Sequence, residues 1–249
     1  MFLGNIAGIV YIVKNRSNVK YFLIILIFAM GGFNLQQDDR FASVREKMVT
    51  QQIISRGVTD ASTLKAMRKV RRHLFVPKEY ENEAYDDNPL PIGYGQTISQ
   101  PYIVAYMTEV VKPSTKKKAL EIGTGTGYQA AVLAEIVDKV YTIEIVPELA
   151  KESEERLKKL GYKNIICKYG DGYKGWPEYA PFDIIIVTAA PEQVPQPLID
   201  QLADNGRLVI PVGAPSSVQE LILLEKKNGK IERSRLTFVR FVPFRRLEK

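Results

Sequence analysis

The stretch "EIGTGTGYQ" (121–129) continues the apolar-ended run "KKKALEI" (116–122) and places glycines at 123, 125 and 127. A short apolar run, a turn of alternate glycines and a helical pattern behind it read as the opening of a strand–turn–helix unit. The G-x-G-x-G spacing is neither the G-x-G-x-x-G of a dinucleotide fingerprint nor a P-loop, because no Lys-Ser/Thr follows the last glycine. A tight turn and the close approach of a ligand to bare backbone both remain open at this point.

Outward from this unit the pattern repeats. "KALEI" (118–122), "KVYTIEI" (139–145), "NIICKY" (164–169), "FDIIIVTA" (182–189) and "GRLVIPVG" (206–213) read as strands, and 127–137, 147–160 and 195–204 as the helices between them. Such alternation predicts an α/β fold, a doubly wound and mostly parallel sheet with helices on both faces. Only "APSSVQ" (214–219) separates the fifth strand from "ELILLEKK" (220–227). That is too short for a parallel crossover, so the sixth strand is expected to be reversed. Asn228-Gly229 then signals a two-residue hairpin into a seventh strand, "RSRLTFVRFVPF" (233–244).

Residues 40–112 read as a helical part of the same domain, ahead of the sheet at 113–249. Val44, Met48 and Ile53/Ile54 define one apolar face, and Leu64, Met67 and Val70 a second, behind a cap at Asp60 or Ser62. Pro101 is expected at the first position of a third helix. Residues 1–39 stand apart. Their run "YFLIILIFAMGGF" (21–33), behind Lys14, Arg16 and Lys20, is shorter than the ~20 residues that span a bilayer and resembles a signal peptide. A start further in, for example at Met30, is the alternative. The expectation is a cytoplasmic monomer, with export or tethering through residues 1–33 as the other reading and membrane contact only if 21–33 is retained.

The charge balance, 35 Lys+Arg against 28 Asp+Glu, is mildly basic. Its densest basic run, "RKVRR" (68–72), has no interleaved aromatics, so no nucleic-acid partner is expected. With one cysteine (Cys167) and one histidine (His73), neither a metal centre nor a Ser-His-Asp triad is expected, and the chemistry should need no imidazole.

Ligands of open parallel sheets bind beyond the carboxyl ends of the strands. Glu144 closes the second strand about twenty residues past the glycines, where a carboxylate can accept from both ribose hydroxyls; a charge at the entry of the helix "PELA" is the plain alternative. Asp171, between Gly170 and Gly172, suits an adenine amino group, with Gly172 allowing close approach of the ring. A ribose carboxylate beside a glycine turn without phosphate-binding side chains fits a nucleoside lacking pyrophosphate, and S-adenosyl-L-methionine is the obvious one.

"LEIGTGTGYQ" (120–129) resembles the first motif of class I methyltransferases. With "LPIGYGQTISQPYIVAYM" (90–107), "GDGYKGWPEYAPFDIIIVTAAPEQVP" (170–195), "LVIPVG" (208–213) and "VRFVP" (239–243) in this order, the chain is similar to the protein-L-isoaspartate (D-aspartate) O-methyltransferase family over roughly 40–246. The resemblance implies methyl transfer from S-adenosylmethionine to the α-carboxylate of isoaspartyl residues in damaged proteins. It implies Ser99 as the catalytic serine, the alternative being a helix cap before Pro101, and Gln96, Thr97 and Ile98 in a lid-like segment over the cofactor. It also implies Gly123 beside the methionine portion with Gly125 in the same cofactor loop, Glu144 at the ribose, Asp171 and Gly172 at the adenine, and backbone pairing with the substrate peptide near Val242. Arg240 is a candidate to attract the peptide's carboxylate, with a solvated strand arginine as the plain alternative. Thr188, Ala189 and Ala190 would leave room beside the sulfur. A methyltransferase acting on another acceptor and a cofactor-binding protein without catalysis are the competing functions, since fold and cofactor loops do not choose the acceptor.

Overall fold

The computed structural model describes residues 40–215 and 217–247, and Arg40–Lys249 form one compact unit. The helical part begins with α1 (Ala42–Lys47), which widens into a π-helical stretch, Met48–Ile53, before a single 3₁₀ turn ends at left-handed Gly57. This widening changes the expected apolar face. Met48, Val49 and Ile53 are buried, whereas Val44 and Ile54 are exposed, because i→i+5 bonding shifts the helical phase partway along. Helix α2 (Ala61–Lys69) is capped by Asp60, whose carboxylate accepts from Thr63 N–H.

The segment 90–98 holds a small hairpin. Strand β1 (Leu90–Pro91) pairs antiparallel with β2 (Thr97–Ile98), and Gly93, Tyr94 and Gly95 turn between them with positive φ. Helix α3 (Pro101–Val110) starts at Pro101 as expected, and Gln100 is its N-cap residue.

The remaining chain builds a seven-stranded sheet. In chain order its elements are β3 (Lys118–Ile122), α4 (Tyr128–Ala134), β4 (Lys139–Glu144), α5 (Pro147–Lys159), β5 (Ile165–Tyr169), β6 (Phe182–Val187), α6 (Gln196–Asp200), β7 (Leu202–Val212), β8 (Gln219–Lys227) and β9 (Lys230–Val239). The spatial order is β5-β4-β3-β6-β7-β8-β9. Adjacent strands are parallel from β5 to β7, β8 is reversed, and β9 pairs antiparallel with it across a turn closed by Lys227 and Lys230, with Asn228 and Gly229 left-handed. Fold class, reversed sixth strand and terminal hairpin are as expected.

Two helices are shorter than expected: α4 ends at Ala134, and α6 ends at Asp200. Residues 202–204 belong to β7, which meets β6 at Phe182–Leu202, bulges through left-handed Asn205 and rejoins it at Ile184–Arg207. The central strands are apolar on both faces. Ile184 and Ile186 point into the core shared with α2–α5, while Ile185 and Val187 point to the core under α6. The chain leaves β3 toward β4 on one side and returns to β6 on the other, so the carboxyl ends of β3 and β6 flank the point where strand order switches. No helix among the described residues is long and apolar enough to cross a membrane, and the apolar run 21–33 lies outside them.

Candidate active site

The turn after β3 lies at that switch point. Gly123, Gly125 and Gly127 all have positive φ, at 94°, 53° and 89°. A Cβ on Gly123 would collide with Thr188 Oγ1, and one on Gly127 would crowd Leu157. Thr188, just beyond β6, donates its N–H to Ile122 O at 2.9 Å and its hydroxyl to Gly123 O at 2.8 Å. The switch point is thereby closed by direct bonding of its two strand ends.

Glu144, at the end of β4, is buried. Its Oε2 accepts from Gly125 N–H at 2.7 Å, and its Oε1 from Ile145 N–H and Val146 N–H, both at 2.9 Å. The carboxylate thus shapes the glycine turn and also serves the entry to α5, joining the two alternatives from sequence. Three of its roughly four acceptor directions are used. As placed, it has capacity for one ribose hydroxyl rather than the two expected.

Two small cavities meet at Gly123. The first is mainly apolar, lined by Ile122, Ile143, Ile145, Gly172, Ala189 and Phe244 together with Arg245. The second is the more polar of the two, bounded by Thr97, Ile98 and Ser99 of the lid segment, the turn 123–126, Glu121 and Thr188. Each holds about 30 Å³, so a nucleoside threaded past Gly123 requires the covering segments to move apart. The lining fits an adenosyl sulfonium: an apolar slot for a base, a second chamber lined with hydroxyls and a carboxyl for an amino acid end, and the Glu144 carboxylate bonded to the turn between them.

Glu121 lies at the floor of that chamber. Its Oε2 is 2.5 Å from Thr142 Oγ1, which is 2.6 Å from Thr124 Oγ1, and its Oε1 has no hydrogen-bond partner among the described residues. Burial pushes this carboxyl up to about 8. Sequence reading missed it, because a Glu in mid-strand carries no spacing signal of its own.

Asp171 differs from expectation. Its Oδ1 accepts from Tyr173 N–H at 3.0 Å, and its Oδ2 accepts from Arg246 Nε at 2.9 Å. The Arg246 guanidinium carbon lies 3.7 Å from the Tyr173 ring centroid. An adenine amino group would therefore have to displace or share with Arg246. Packing also requires Gly172, since a Cβ there would collide with Ile122 Cγ2.

The C-terminal segment forms a strap over the apolar cavity. Ala190 N–H donates to Val242 O and Phe244 N–H donates to Ala190 O. Beyond that anchor, Arg245 donates to Tyr94 O at 3.2 Å, and the Gln96 amide oxygen, turned toward it, accepts from Arg245 at 3.0 and 3.3 Å. Arg245 and Arg246 thus join the lid hairpin and the loop after β5, which sequence reading also missed. Since the Val242 carbonyl is engaged with Ala190, only its N–H is left to pair with a peptide.

Ser99 is half-buried and accepts or donates no hydrogen bond among the described residues; the cap position belongs to Gln100, which removes the capping alternative. Ser99 and Thr97 border the polar chamber on one side. On the other they border an open groove of about 400 Å³, which includes Arg56, Tyr102, Val218, Phe238, Val239 and Arg240. Thr97, Ile98, Ser99, Gly123 and Gly125 therefore gather at one place, Gln96 is held beside them by Arg245, Arg240 lies in the groove outside, and Gly172 with Asp171 lies at the opposite end.

The remaining reactive side chains are structural. His73 Nδ1 is 2.8 Å from Tyr85 Oη, with its ring against Phe41. Cys167 is half-buried on β5, and burial pushes its thiol up to about 12.

The profile of the protein-L-isoaspartate(D-aspartate) O-methyltransferase family matches residues 43–249. A protein-L-isoaspartate O-methyltransferase of Opitutus terrae is 54% identical over 224 residues, which span 90% of this chain and 96% of that one. A solved protein-L-isoaspartate O-methyltransferase superposes with a TM-score of 0.74 at 32% identity, covering 80% of this chain and 65% of that longer one. A Plasmodium falciparum β-aspartate methyltransferase in complex with S-adenosyl-L-homocysteine superposes with a TM-score of 0.69 at 29% identity, covering 82% of this chain and 97% of that one.

Proposed function

The chain belongs to the protein-L-isoaspartate(D-aspartate) O-methyltransferase family and methylates the α-carboxylate of isoaspartyl residues in damaged proteins, and we propose that Ser99 is the residue that aims this carboxylate. S-adenosylmethionine supplies an electrophilic methyl group on a sulfonium and leaves as S-adenosylhomocysteine. The acceptor is already ionised at neutral pH, so it needs no general base, and the absence of imidazole from the site is no obstacle.

The chain's task is then to position and to exclude water, and holding two reactants in attack geometry is worth up to ~7–11 kcal/mol. Ser99 carries this reading because, with Thr97, it stands between the groove and the polar chamber. Its unengaged hydroxyl can donate to one carboxylate oxygen and leave the other facing inward. Gly123 and Gly125 line the methionine side, Glu144 meets the ribose, and Gly172 with Asp171 bounds the adenine side. Gln96, Thr97 and Ile98 close over them, tied down by Arg245. Arg240 faces the peptide, and Val242 offers it an N–H.

The test is an isoaspartyl peptide incubated with methyl-labelled S-adenosylmethionine. A base-labile methyl ester should form on it and not on the matching aspartyl peptide. Label on nucleic acid or on a small molecule alone would favour the competing acceptors.

We further place the protein in the cytoplasm as a monomer. In support, the family match spans residues 43–249 and so lies beyond the apolar run 21–33. Mass spectrometry of the native N-terminus checks the location. A chain cleaved near Ala29–Gly32 and recovered outside the cell would refute it.

A further inference from the structure

The groove outside Ser99 has features that methyl transfer itself does not use. It runs along β9, the edge strand of the sheet, and carries two large apolar side chains in contact with water: Phe238 is 61% exposed and Val218 51%. Exposed apolar groups gathered on a sheet edge mark a surface that is covered in use. Tyr102, Ile103 and Phe241 continue the apolar lining toward Ser99.

Among the described residues the charge in the groove is of one sign, since no described Asp or Glu lines it. Arg56 is compensated by Asp87 at 2.7 Å and lies over the Tyr102 ring at 3.5 Å. On β9, Arg233 and Arg235 both face Glu220. Arg240 has no ion-pair partner among the described residues and stands two positions from Phe238. The occupant is fixed by continuity, because the groove opens onto the hydroxyl that receives the acceptor carboxylate.

We infer that this groove filters substrates by the residues flanking the isoaspartate, favouring a large apolar side chain that covers Phe238 and Val218 and disfavouring a Lys or Arg that would meet Arg240. The inference rests on the proposed function and adds a selectivity to it. Covering a half-exposed aromatic surface with a Leu side chain should improve kcat/KM about five- to tenfold over Ser at the same position.

The test uses isoaspartyl heptapeptides identical except for Leu, Ser or Lys at each of the two positions on either side of the isoaspartate. Values of kcat/KM are compared for the wild-type chain, Phe238→Ser, Phe238→Leu and Arg240→Gln. At one or more positions the Leu:Ser ratio should be about five or higher in the wild type, fall to about one in Phe238→Ser and persist in Phe238→Leu. The Ser:Lys ratio should relax in Arg240→Gln. Equal rates for all peptides, or a Leu:Ser ratio that survives Phe238→Ser, overturns the filter while leaving the methyltransferase reading intact. Failure of the wild type to methylate any of the peptides would overturn that reading and the filter with it.

Discussion

Replacing Ser99 by Ala isolates one hydroxyl. In the folded chain this group holds no described hydrogen bond and caps no helix, so its deletion orphans no internal partner. Stability should change by no more than ~0.5 kcal/mol, the range of substitutions away from packed or bonded features. What is lost is a hydrogen bond to an ionised carboxylate, worth about 1.5–3 kcal/mol. At about 1.36 kcal/mol per decade, kcat/KM for an isoaspartyl peptide should fall about ten- to 150-fold. Three measurements on one preparation separate the explanations: initial rates with labelled methyl donor, calorimetric affinity for S-adenosylhomocysteine, and thermal melting. The expected result is a slow enzyme with unchanged affinity and melting. A loss below threefold would refute the aiming role, and a parallel loss of S-adenosylhomocysteine affinity would move Ser99 to the cofactor side.

Glu144→Gln puts an amide NH₂ against backbone N–H groups that now donate to the carboxylate, leaving at least one unpaired at about 1–3 kcal/mol. Calorimetry should show S-adenosylhomocysteine affinity reduced tenfold or more and a lower melting temperature; unchanged affinity would remove Glu144 from the site. Glu121 has its folded carboxyl raised from 4.5 to about 8, so the folded state holds the proton more tightly than the unfolded chain. The stability this carboxyl contributes is fully present below about pH 4.5 and is lost as pH rises through about 8. Glu121→Gln, which cannot titrate, should gain on the wild type by a few kcal/mol as the pH is raised from about 5 to about 8.5, at ~1.4 kcal/mol for each pH unit crossed between the two values. Parallel melting curves over that range would show that the carboxyl titrates normally. Arg246→Ala frees the Asp171 oxygen and should tighten S-adenosylhomocysteine binding about fivefold at low salt, the worth of a half-exposed ion pair, with the gain shrinking at about 1 M salt. Weaker binding in this variant would make Arg246 a ligand rather than a competitor.

The sheet was legible because its signals are local. "KALEI" is β3 residue for residue, Asn228-Gly229 turns where a two-residue hairpin is required, and six residues between β7 and β8 forbid a parallel crossover. What could not be read locally was decided by partners. Val44 has the right spacing for a buried face, but a π-helical stretch after Lys47 shifts the phase and leaves it in water. Residues 202–204 have helical composition, yet a bulge against β6 recruits them into β7.

The same distinction runs through the site. Ser99, Glu144 and the glycines stand at strand ends and in a motif, whereas the strap depends on Arg245 meeting Tyr94 across 151 positions and Arg246 meeting Asp171 across 75. The glycine turn itself shows how far a motif carries. Each missing Cβ is matched by protein atoms, with Thr188 at Gly123, Ile92 at Gly125 and Leu157 at Gly127, so packing alone accounts for the three glycines. Evidence for a ligand begins one step further on. With Gly125 N–H held by Glu144, the turn draws a buried carboxylate to the mouth of the strand switch and leaves it one unused acceptor direction. That carboxylate already serves the turn and the entry to α5 through three backbone N–H groups, so only its unused acceptor direction is left for a ligand.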